Sequence, residues 1–193
     1  MKLEDRVRVE EVEILSADWS VLKKTKLSFR RTNGAWQTLT RETYDRGNGA
    51  TLLLMHREKR TVLLTRQFRY PAYVNGATDL LIEACAGLLD ARDPETAIKD
   101  EVAEELGVKV TAVTRILESY MSPGSVTEKL YFFVADYTVD DRTGAGGGIA
   151  DDGEDIEVLE IPFDEALAMI DRGEIVDGKT IMLLLYAQWK RLL

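Results

Sequence analysis

The chain has one cysteine and one histidine, and each scarcity argues against a class of chemistry. Cys85 has no second cysteine to pair with, which excludes an intramolecular disulfide and favours a reducing compartment. A metal site built from several histidines, or a Ser-His triad, is improbable with His56 alone. We expect His56 at the surface, because it stands beside the charged turn REKR, and Cys85 as a small buried side chain.

Long apolar runs and an excess of positive charge are also missing. No apolar run approaches the ~20 residues needed to span a membrane, and residues 1–11 lack the apolar core of a secretory signal. Lys and Arg number 25 against 34 Asp and Glu, a net charge of −9. A nucleic acid would be repelled at long range, whereas a small phosphorylated ligand is compatible with a bound metal and local cations. We therefore predict a cytoplasmic protein with no membrane and no nucleic-acid partner.

The first 48 residues are predicted to form three antiparallel strands and a separate subdomain, residues 1–48. Apolar and polar residues alternate over residues 7–15, 19–31 and 35–46. Asn33-Gly34 between the last two predicts a type I′ hairpin turn. A three-stranded sheet does not bury an apolar face by itself. It must therefore pack on the rest of the chain or on a second subunit, through its larger apolar residues Trp19, Leu27, Phe29, Trp36 and Leu39.

Residues 49–193 are predicted to form the main domain, of mixed α/β class. Continuous apolar runs over 50–56 and 61–69 predict a buried hairpin, and residues 79–87 predict one further strand. A helical pattern covers 95–106, with its apolar stripe on Ala97, Ile98, Val102 and Leu106. Strands follow over 110–122 and 129–139, then a mobile surface loop rich in glycine and acids over 140–155, a strand over 156–163 and two amphipathic helices.

The helix over 95–106 carries three acids on one face. Glu101, Glu104 and Glu105 are spaced i, i+3 and i+4, so the three carboxylates are expected together on the helix surface. Uncompensated like charges at this spacing destabilise a helix by roughly 0.2–0.5 kcal/mol per pair. The cluster is either a solvated acidic face or a site for a hard cation, Mg²⁺ or Mn²⁺, that holds phosphate oxygens. Gly87, before the helix, favours the second interpretation because it lets the backbone approach a ligand.

The stretch DEVAEELGV, residues 100–108, resembles the second half of the signature of the Nudix hydrolases. Two departures stand out: Asp100 occupies the position of the usual Arg, and Gly87 lies one residue closer to Glu101 than in the common pattern. Counted back from the glycine at 107, the ion pair that the family forms between Glu and Arg falls on Arg92 and Asp100. The charges are then exchanged.

Further segments extend the resemblance over nearly the whole chain. TRETYDRGNGA (40–50), RQFRYPAYVNG (66–76), LIEACAGLLD (81–90), SPGSVTEK (122–129), EDIEVLE (154–160) and GEIVDGKT (173–180) look like the GDP-mannose pyrophosphatase subfamily. The resemblance implies a Nudix-type α/β/α sandwich and Mg²⁺-dependent hydrolysis, with Mn²⁺ as a substitute. The implied substrate is a nucleoside diphosphate sugar, GDP-mannose first, split to GMP and mannose 1-phosphate. Hydrolysis of ADP-ribose or another ADP-sugar is the alternative. A non-catalytic sugar-nucleotide sensor is disfavoured by retention of the acids.

The resemblance also assigns a metal shell and a base. It implies that Glu101, Glu105, the carbonyl of Ala86 and Glu154 hold the metal. For Glu104, direct ligation, ligation through water and a solvated position all stay open. Glu128 beside Lys129 would ordinarily be a surface ion pair, but the resemblance implies that Glu128 is the catalytic base.

The substrate-binding residues implied by the resemblance include three from the N-terminal strands. Arg69 suits a phosphate oxygen, although a strand-end surface cation is the alternative, and Lys179 either contacts ligand or only begins the last helix. Trp19 either stacks on a purine or packs in a core. The resemblance implies a homodimer through the N-terminal strands, which places Trp19, Arg41 and Glu42 beside the partner's nucleotide. The implied substrate-binding residues are Trp19, Arg41, Glu42, Arg69, Gly87, Glu128 and Lys179.

Overall fold

The structure, a computed structural model, describes residues 2–149 and 153–193. The chain divides into two compact units. The N-terminal unit comprises Met1–Asn48 with Ser119–Leu130, and the C-terminal unit comprises Gly49–Glu118 with Tyr131–Leu193. The first unit thus takes in residues 119–130 as well as the N-terminal strands. None of the described helices is both long and apolar enough to cross a membrane.

The N-terminal unit is built on an antiparallel sheet of three strands, β1 (Val7–Ala17), β2 (Val21–Arg30) and β3 (Trp36–Asp45), in that order. The predicted type I′ turn is wrong. Of the two central residues only Gly34 has a positive φ, 86°. Arg31 N–H donates to Ala35 O at 2.8 Å and Gly34 N–H to Arg31 O at 3.0 Å. The hairpin therefore has a three-residue loop, with glycine at the left-handed position.

The C-terminal unit is mixed α/β, as predicted. Its seven-stranded sheet has the order β10-β5-β4-β9-β8, with β6 beside β5 and β7 beside β4. The strands are β4 (Gly49–His56), β5 (Thr61–Gln67), β6 (Leu81–Glu83), β7 (Cys85–Leu88), β8 (Thr114–Tyr120), β9 (Lys129–Asp136) and β10 (Glu157–Pro162). The helices are α1 (Tyr70–Val74), α2 (Pro94–Leu106), α3 (Phe163–Asp171) and α4 (Gly178–Lys190).

The single strand predicted over 79–87 is two short strands with different neighbours. β6 pairs with β5, and β7 pairs with β4. The break falls at Ala84, whose N–H donates to Thr180 Oγ1 at 2.7 Å. A side chain of α4 thus takes a backbone donor that a continuous strand would use in its ladder.

The core lies around β4, β5 and α2. β4 is buried along its whole length, and the predicted stripe of α2 faces the core with Ala97, Ile98, Val102 and Leu106 buried. Cys85 is buried as expected. The surface position predicted for His56 is wrong. His56 ends the buried strand β4, is 5% exposed and packs edge-on against Tyr137, with ring centroids 5.2 Å apart.

The glycine-rich segment after β9 is hydrogen-bonded to the end of α2, although the sequence predicted a mobile surface loop. Thr143 and Gly144 donate to the carbonyl of Gly107 at 2.8 and 3.1 Å. Gly147 donates to Glu105 O at 2.9 Å and Gly148 to Glu104 O at 3.2 Å. Helix carbonyls in the last turn lack partners within the helix, so this segment satisfies them. Residues 150–152 of the predicted loop lie outside the described residues.

Candidate active site

Helix α2 carries the acidic cluster and has well-defined ends. Asp93 caps its N-terminus by accepting hydrogen bonds from Glu95 N–H at 3.1 Å and Thr96 N–H at 3.2 Å, and Pro94 occupies the first helical position. Gly107 ends it with φ 63°. These signals fix the start and end of the helix, and its buried apolar stripe fixes which of its faces is turned to the core.

The three acids of α2 differ in burial. Glu105 is buried, with 3% of its surface exposed, whereas Glu101 is partly buried and Glu104 is exposed. The expectation that Glu105 lies on the helix surface is wrong. Its Oε2 atom is buried without a hydrogen-bond partner among the described residues. A buried carboxylate oxygen without a hydrogen-bond partner destabilises the folded state. Its presence here indicates that Oε2 binds a ligand.

The electrostatics of the cluster suit the binding of a cation. Burial raises the pKa of Glu105 to about 7; the Cys85 thiol and Arg69 act to lower it, while Glu101 and Glu154 act to raise it further. The pKa of Glu101 is also raised, first by burial and then by Glu104, against the lowering effect of the Arg92 guanidinium. Like charges at close range disfavour ionisation of each carboxyl group. A bound divalent cation would have the opposite effect and favour the ionised carboxylates.

Gly87 makes room for the Glu101 carboxylate. A Cβ atom added to Gly87 would overlap the carboxylate carbon and both carboxylate oxygens of Glu101. Gly87 lies on β7, next to Ala86, which pairs with Thr51 of β4. Glu101 thus lies directly against the backbone that carries the Ala86 carbonyl, and any larger residue at position 87 would displace it.

The charge-exchanged ion pair predicted between Arg92 and Asp100 is confirmed. Arg92 Nη1 lies 3.2 Å from Asp100 Oδ2, and Nη2 lies 3.4 Å from Glu101 Oε1. Arg92 Nη2 also donates to Leu88 O, and Nε donates to Leu89 O. The Arg92 guanidinium therefore links the connection between β7 and α2 to the helix itself, and it orients the Glu101 carboxylate.

Glu154 reaches the cluster through the docked glycine-rich segment. Its Oε2 accepts a hydrogen bond from Ile149 N–H at 2.9 Å, and a Cβ atom on Gly148 would overlap it. Its negative charge acts on the pKa of both Glu101 and Glu105. The hydrogen bonds that the segment makes to α2 bring this acid towards the helix that carries Glu101 and Glu105.

The donor set suits a hard cation. Carboxylate and carbonyl oxygens are the ligands that Mg²⁺ prefers, and Mg²⁺ commonly uses one or two carboxylates, with water and substrate phosphate completing the octahedron. Within residues 2–149 and 153–193 no three Asp, Glu, His or Cys side chains are close enough to ligate one ion together. Glu101 and Glu105, the second with an unpartnered oxygen, therefore fit a site that relies on further ligands from backbone, water and substrate.

A second polar cluster lies beside this one and centres on Glu83, a residue that no motif of the sequence singled out. Arg69 Nε contacts Glu83 Oε2 at 2.8 Å, and Lys179 Nζ contacts Glu83 Oε1 at 2.7 Å. Lys179 also contacts Asp177 at 3.0 Å. The structure thus brings together Arg69 and Lys179, two predicted substrate-binding residues. The available signal was a lone acid within the apolar run LLIEACAG.

The remaining predicted site residues belong to the N-terminal unit. Trp19 is 91% exposed, which rules out core packing within its own unit. Arg41 and Glu42 are exposed on β3, and Arg41 Nη1 donates to the carbonyl of Thr40 at 2.8 Å. Glu128 is mostly buried, with Arg46 Nε 3.5 Å from its carboxylate.

The comparison with family models decides the family. The model of the Nudix domain matches residues 45–184, and the model described as the GDP-mannose pyrophosphatase NudK N-terminal domain matches residues 6–44.

The chain belongs to the Nudix family.

Curated relatives of this Nudix hydrolase match almost end to end. The GDP-mannose pyrophosphatase of Pectobacterium atrosepticum is 52% identical over 182 residues, 94% of this chain and 93% of the relative. That of Enterobacter sp. is 52% identical over 184 residues, 95% of each chain. Among solved structures, one titled as an ADP compounds hydrolase covers 96% of this Nudix chain and 95% of its own, with a TM-score of 0.73 at 16% identity. That likeness confirms the predicted fold.

Proposed function

We propose that this Nudix hydrolase is a cytoplasmic, Mg²⁺-dependent pyrophosphatase that splits GDP-mannose into GMP and mannose 1-phosphate. The observation that carries the chemistry is the buried Oε2 of Glu105, which has no hydrogen-bond partner among residues 2–149 and 153–193 and lies beside the Glu101 carboxylate. The identity of 52% over more than nine-tenths of the chain to proteins named GDP-mannose pyrophosphatase supports the substrate.

In this proposal the metal is held by Glu101, Glu105 and the Ala86 carbonyl. Glu154 acts on the same ion through a coordinated water, since no three of the described carboxylates are close enough to bind one ion directly. The bound ion supplies charge neutralisation for the pyrophosphate and lowers the pKa of a coordinated water. Glu104 is exposed, which favours a solvated position over direct ligation. Arg92 holds Glu101 in place, and Gly87 leaves space for it.

Arg69 and Lys179 are proposed to bind the substrate phosphates, and Glu128 to act as general base. Guanidinium and ammonium groups donate to phosphate oxygens, and both cations are fixed by one buried carboxylate. Glu128, whose carboxyl group lies 3.5 Å from Arg46 Nε, would accept the proton of the attacking water. A general base of this kind contributes typically ~10²–10⁴-fold.

The N-terminal unit is proposed to form a homodimer and to complete the nucleotide site of the partner. Apolar residues remain exposed along β1 and the turn after it, Val9, Val12, Ile14, Leu15 and Trp19. Exposed apolar residues clustered on one strand favour an interface. Trp19 offers a purine a stacking surface, with Arg41 and Glu42 as its polar companions.

A substrate panel tests the proposal. GDP-mannose, ADP-ribose, ADP-glucose and UDP-glucose are incubated separately with the protein and Mg²⁺, and the products are separated by chromatography. We expect GDP-mannose to have the highest kcat/KM, with no turnover in EDTA. A preference for the ADP compounds would replace the proposed substrate, and hydrolysis undiminished by EDTA would overturn the metal site.

A further inference from the structure

The buried carboxylate of Glu83 bridges two cations that come from distant parts of the chain. Glu83 ends β6, Arg69 directly precedes α1, and Lys179 lies in the first turn of α4. Glu83 is 4% exposed, and each of its oxygens contacts a different cation, at 2.8 and 2.7 Å. One side chain therefore fixes the separation of two positive charges that no local sequence pattern brings together.

The way in which Glu83 contacts Arg69 leaves the binding edge of the guanidinium available. The contact is made through Nε. Among the described residues nothing accepts a hydrogen bond from Nη1 or Nη2, which can therefore form the parallel pair of hydrogen bonds that a phosphate accepts. The Arg69 side chain is 41% exposed. The Lys179 ammonium contacts Glu83 and Asp177, and its third N–H has no acceptor within the part of the chain that the structure describes.

The cluster also lies beside the acidic face of α2. Arg69 acts on the pKa of Glu105, and Lys179 acts on that of Cys85, two residues after Glu83. The break at Ala84 directs β6 to β5 and β7 to β4. Glu83 and the metal-site backbone of β7 are therefore adjacent in the chain yet belong to different strand pairs.

We propose that Glu83 is a positioning residue that holds Arg69 and Lys179 as a two-pronged clamp for the diphosphate of the substrate. The inference rests on the proposed function for the nature of that anion. Glu83 does not contact substrate in this account; it acts through the two cations. Arg69, Lys179, Glu83 and Asp177 together carry no net charge, so alignment of donors, rather than surplus positive charge, gives the clamp its affinity.

An electrostatic role and a positioning role of Glu83 predict opposite effects of Glu83→Gln on anion affinity. If Glu83 only opposed the phosphate charge, Glu83→Gln would tighten anion binding, because a negative charge would be removed. If Glu83 positions the cations, both Glu83→Gln and Glu83→Asp weaken binding. Aspartate keeps the charge and withdraws the carboxylate by one methylene group. It thus isolates position at constant charge and keeps a carboxylate in the buried site.

The experiment measures binding of inorganic pyrophosphate by calorimetry in EDTA, where the cations act without metal. We expect Glu83→Asp and Glu83→Gln to lose at least about tenfold in affinity, as befits charge-assisted hydrogen bonds. KM for GDP-mannose in Mg²⁺ should rise with a smaller change in kcat. In a Lys179→Met background the Glu83→Asp effect should shrink, because one prong is already gone.

A matched control is Glu160→Gln. Glu160 also bridges a lysine and an arginine, Lys59 at 3.1 Å and Arg142 at 3.2 Å, but on β10. Its pyrophosphate affinity should equal that of the wild type. Wild-type affinity in Glu83→Asp, tighter binding in Glu83→Gln, or equal losses in Glu160→Gln would overturn the inference. A wild type that binds pyrophosphate but hydrolyses no nucleotide sugar would overturn the proposed function alone.

Discussion

Replacing Glu105 by Gln should abolish hydrolysis. At neutral pH without metal it should also raise the free energy of unfolding, because burial disfavours the ionised form of the wild-type acid. Burial raises the pKa of Glu105 from 4.5 to about 7. At about 1.4 kcal/mol for each unit of pKa, ionising Glu105 in the folded, metal-free protein costs about 3 kcal/mol relative to the unfolded chain. The removal of a metal ligand should nearly abolish turnover in Mg²⁺.

The pH range follows from linkage. Between pH 4.5 and 7 the unfolded chain has released this proton while the folded protein still binds it. The free energy of unfolding therefore falls as the pH rises. The stabilisation from the neutral acid is fully present below pH 4.5 and is lost as the pH passes through 7. The Gln variant has no such proton and lacks this part of the pH dependence.

The assay compares thermal unfolding of wild type and Glu105→Gln in EDTA at pH 5 and pH 8. Each kcal/mol shifts the melting temperature of a protein of this size by about 2–4 °C. At pH 5 the unfolded chain has already released most of this proton, so about 2.5 kcal/mol of the effect is lost between the two pH values. Relative to the variant, the wild type should therefore lose about 5–10 °C. Adding Mg²⁺ at pH 8 should restore the wild type by mass action and leave the variant unchanged.

Glu104→Gln is the matched control, because Glu104 belongs to the same cluster but is exposed. Its pH dependence of stability should follow the wild type, since exposed substitutions usually stay within about 0.5 kcal/mol. Parallel pH profiles for wild type and Glu105→Gln would refute the reasoning about burial. Wild-type hydrolysis by Glu105→Gln at ordinary Mg²⁺ would refute the metal site itself.

Three further predictions concern the base, the glycine beside the metal site and the assembly. Glu128→Gln should lower kcat by ~10²–10⁴-fold with KM little changed; a loss below about tenfold would move the base to the acidic loop that includes Asp151, outside the described residues. Gly87→Ala should displace Glu101 and weaken Mg²⁺ binding measured by calorimetry, whereas Gly144→Ala, where an added Cβ meets nothing closer than 4.0 Å, should not. Inactive Arg41→Ala and Glu105→Gln chains should regain activity when mixed, because one site per heterodimer has both residues intact; an active monomer in sedimentation would contradict this.

Patterns that depend on neighbours in sequence predicted the fold well. Period-two alternation located β1 to β3, and helical spacing located α2 with its buried stripe. The exchange of charges between Arg92 and Asp100 was also predicted, by counting back from Gly107 in the stretch that resembles the Nudix signature. Arg92 directly precedes the N-cap of α2, so this contact is local in sequence. In each case the deciding contact lies within one element or between adjacent ones.

Features decided by distant contacts were not predictable. His56 is buried because β4 lies wholly inside the sheet, and the break at Ala84 depends on Thr180, almost a hundred residues later. Docking of Gly147 on the Glu105 carbonyl joins a loop to a helix that precedes it by forty residues. Glu83 bridges Arg69 and Lys179, which come from separate segments of the chain, so its role depends on contacts between distant residues. Such pairings require the folded chain.

We propose that the acidic face of α2 supports metal-dependent cleavage of a sugar-nucleotide pyrophosphate. The decisive measurement is ³¹P NMR of GDP-mannose incubated with the protein, first in EDTA and then with excess Mg²⁺. We predict no change in EDTA, and after Mg²⁺ the loss of both pyrophosphate signals with the appearance of two phosphomonoester signals of equal area, from GMP and mannose 1-phosphate. Persistence of the pyrophosphate signals in Mg²⁺, or formation of GDP with an intact pyrophosphate, would contradict the account.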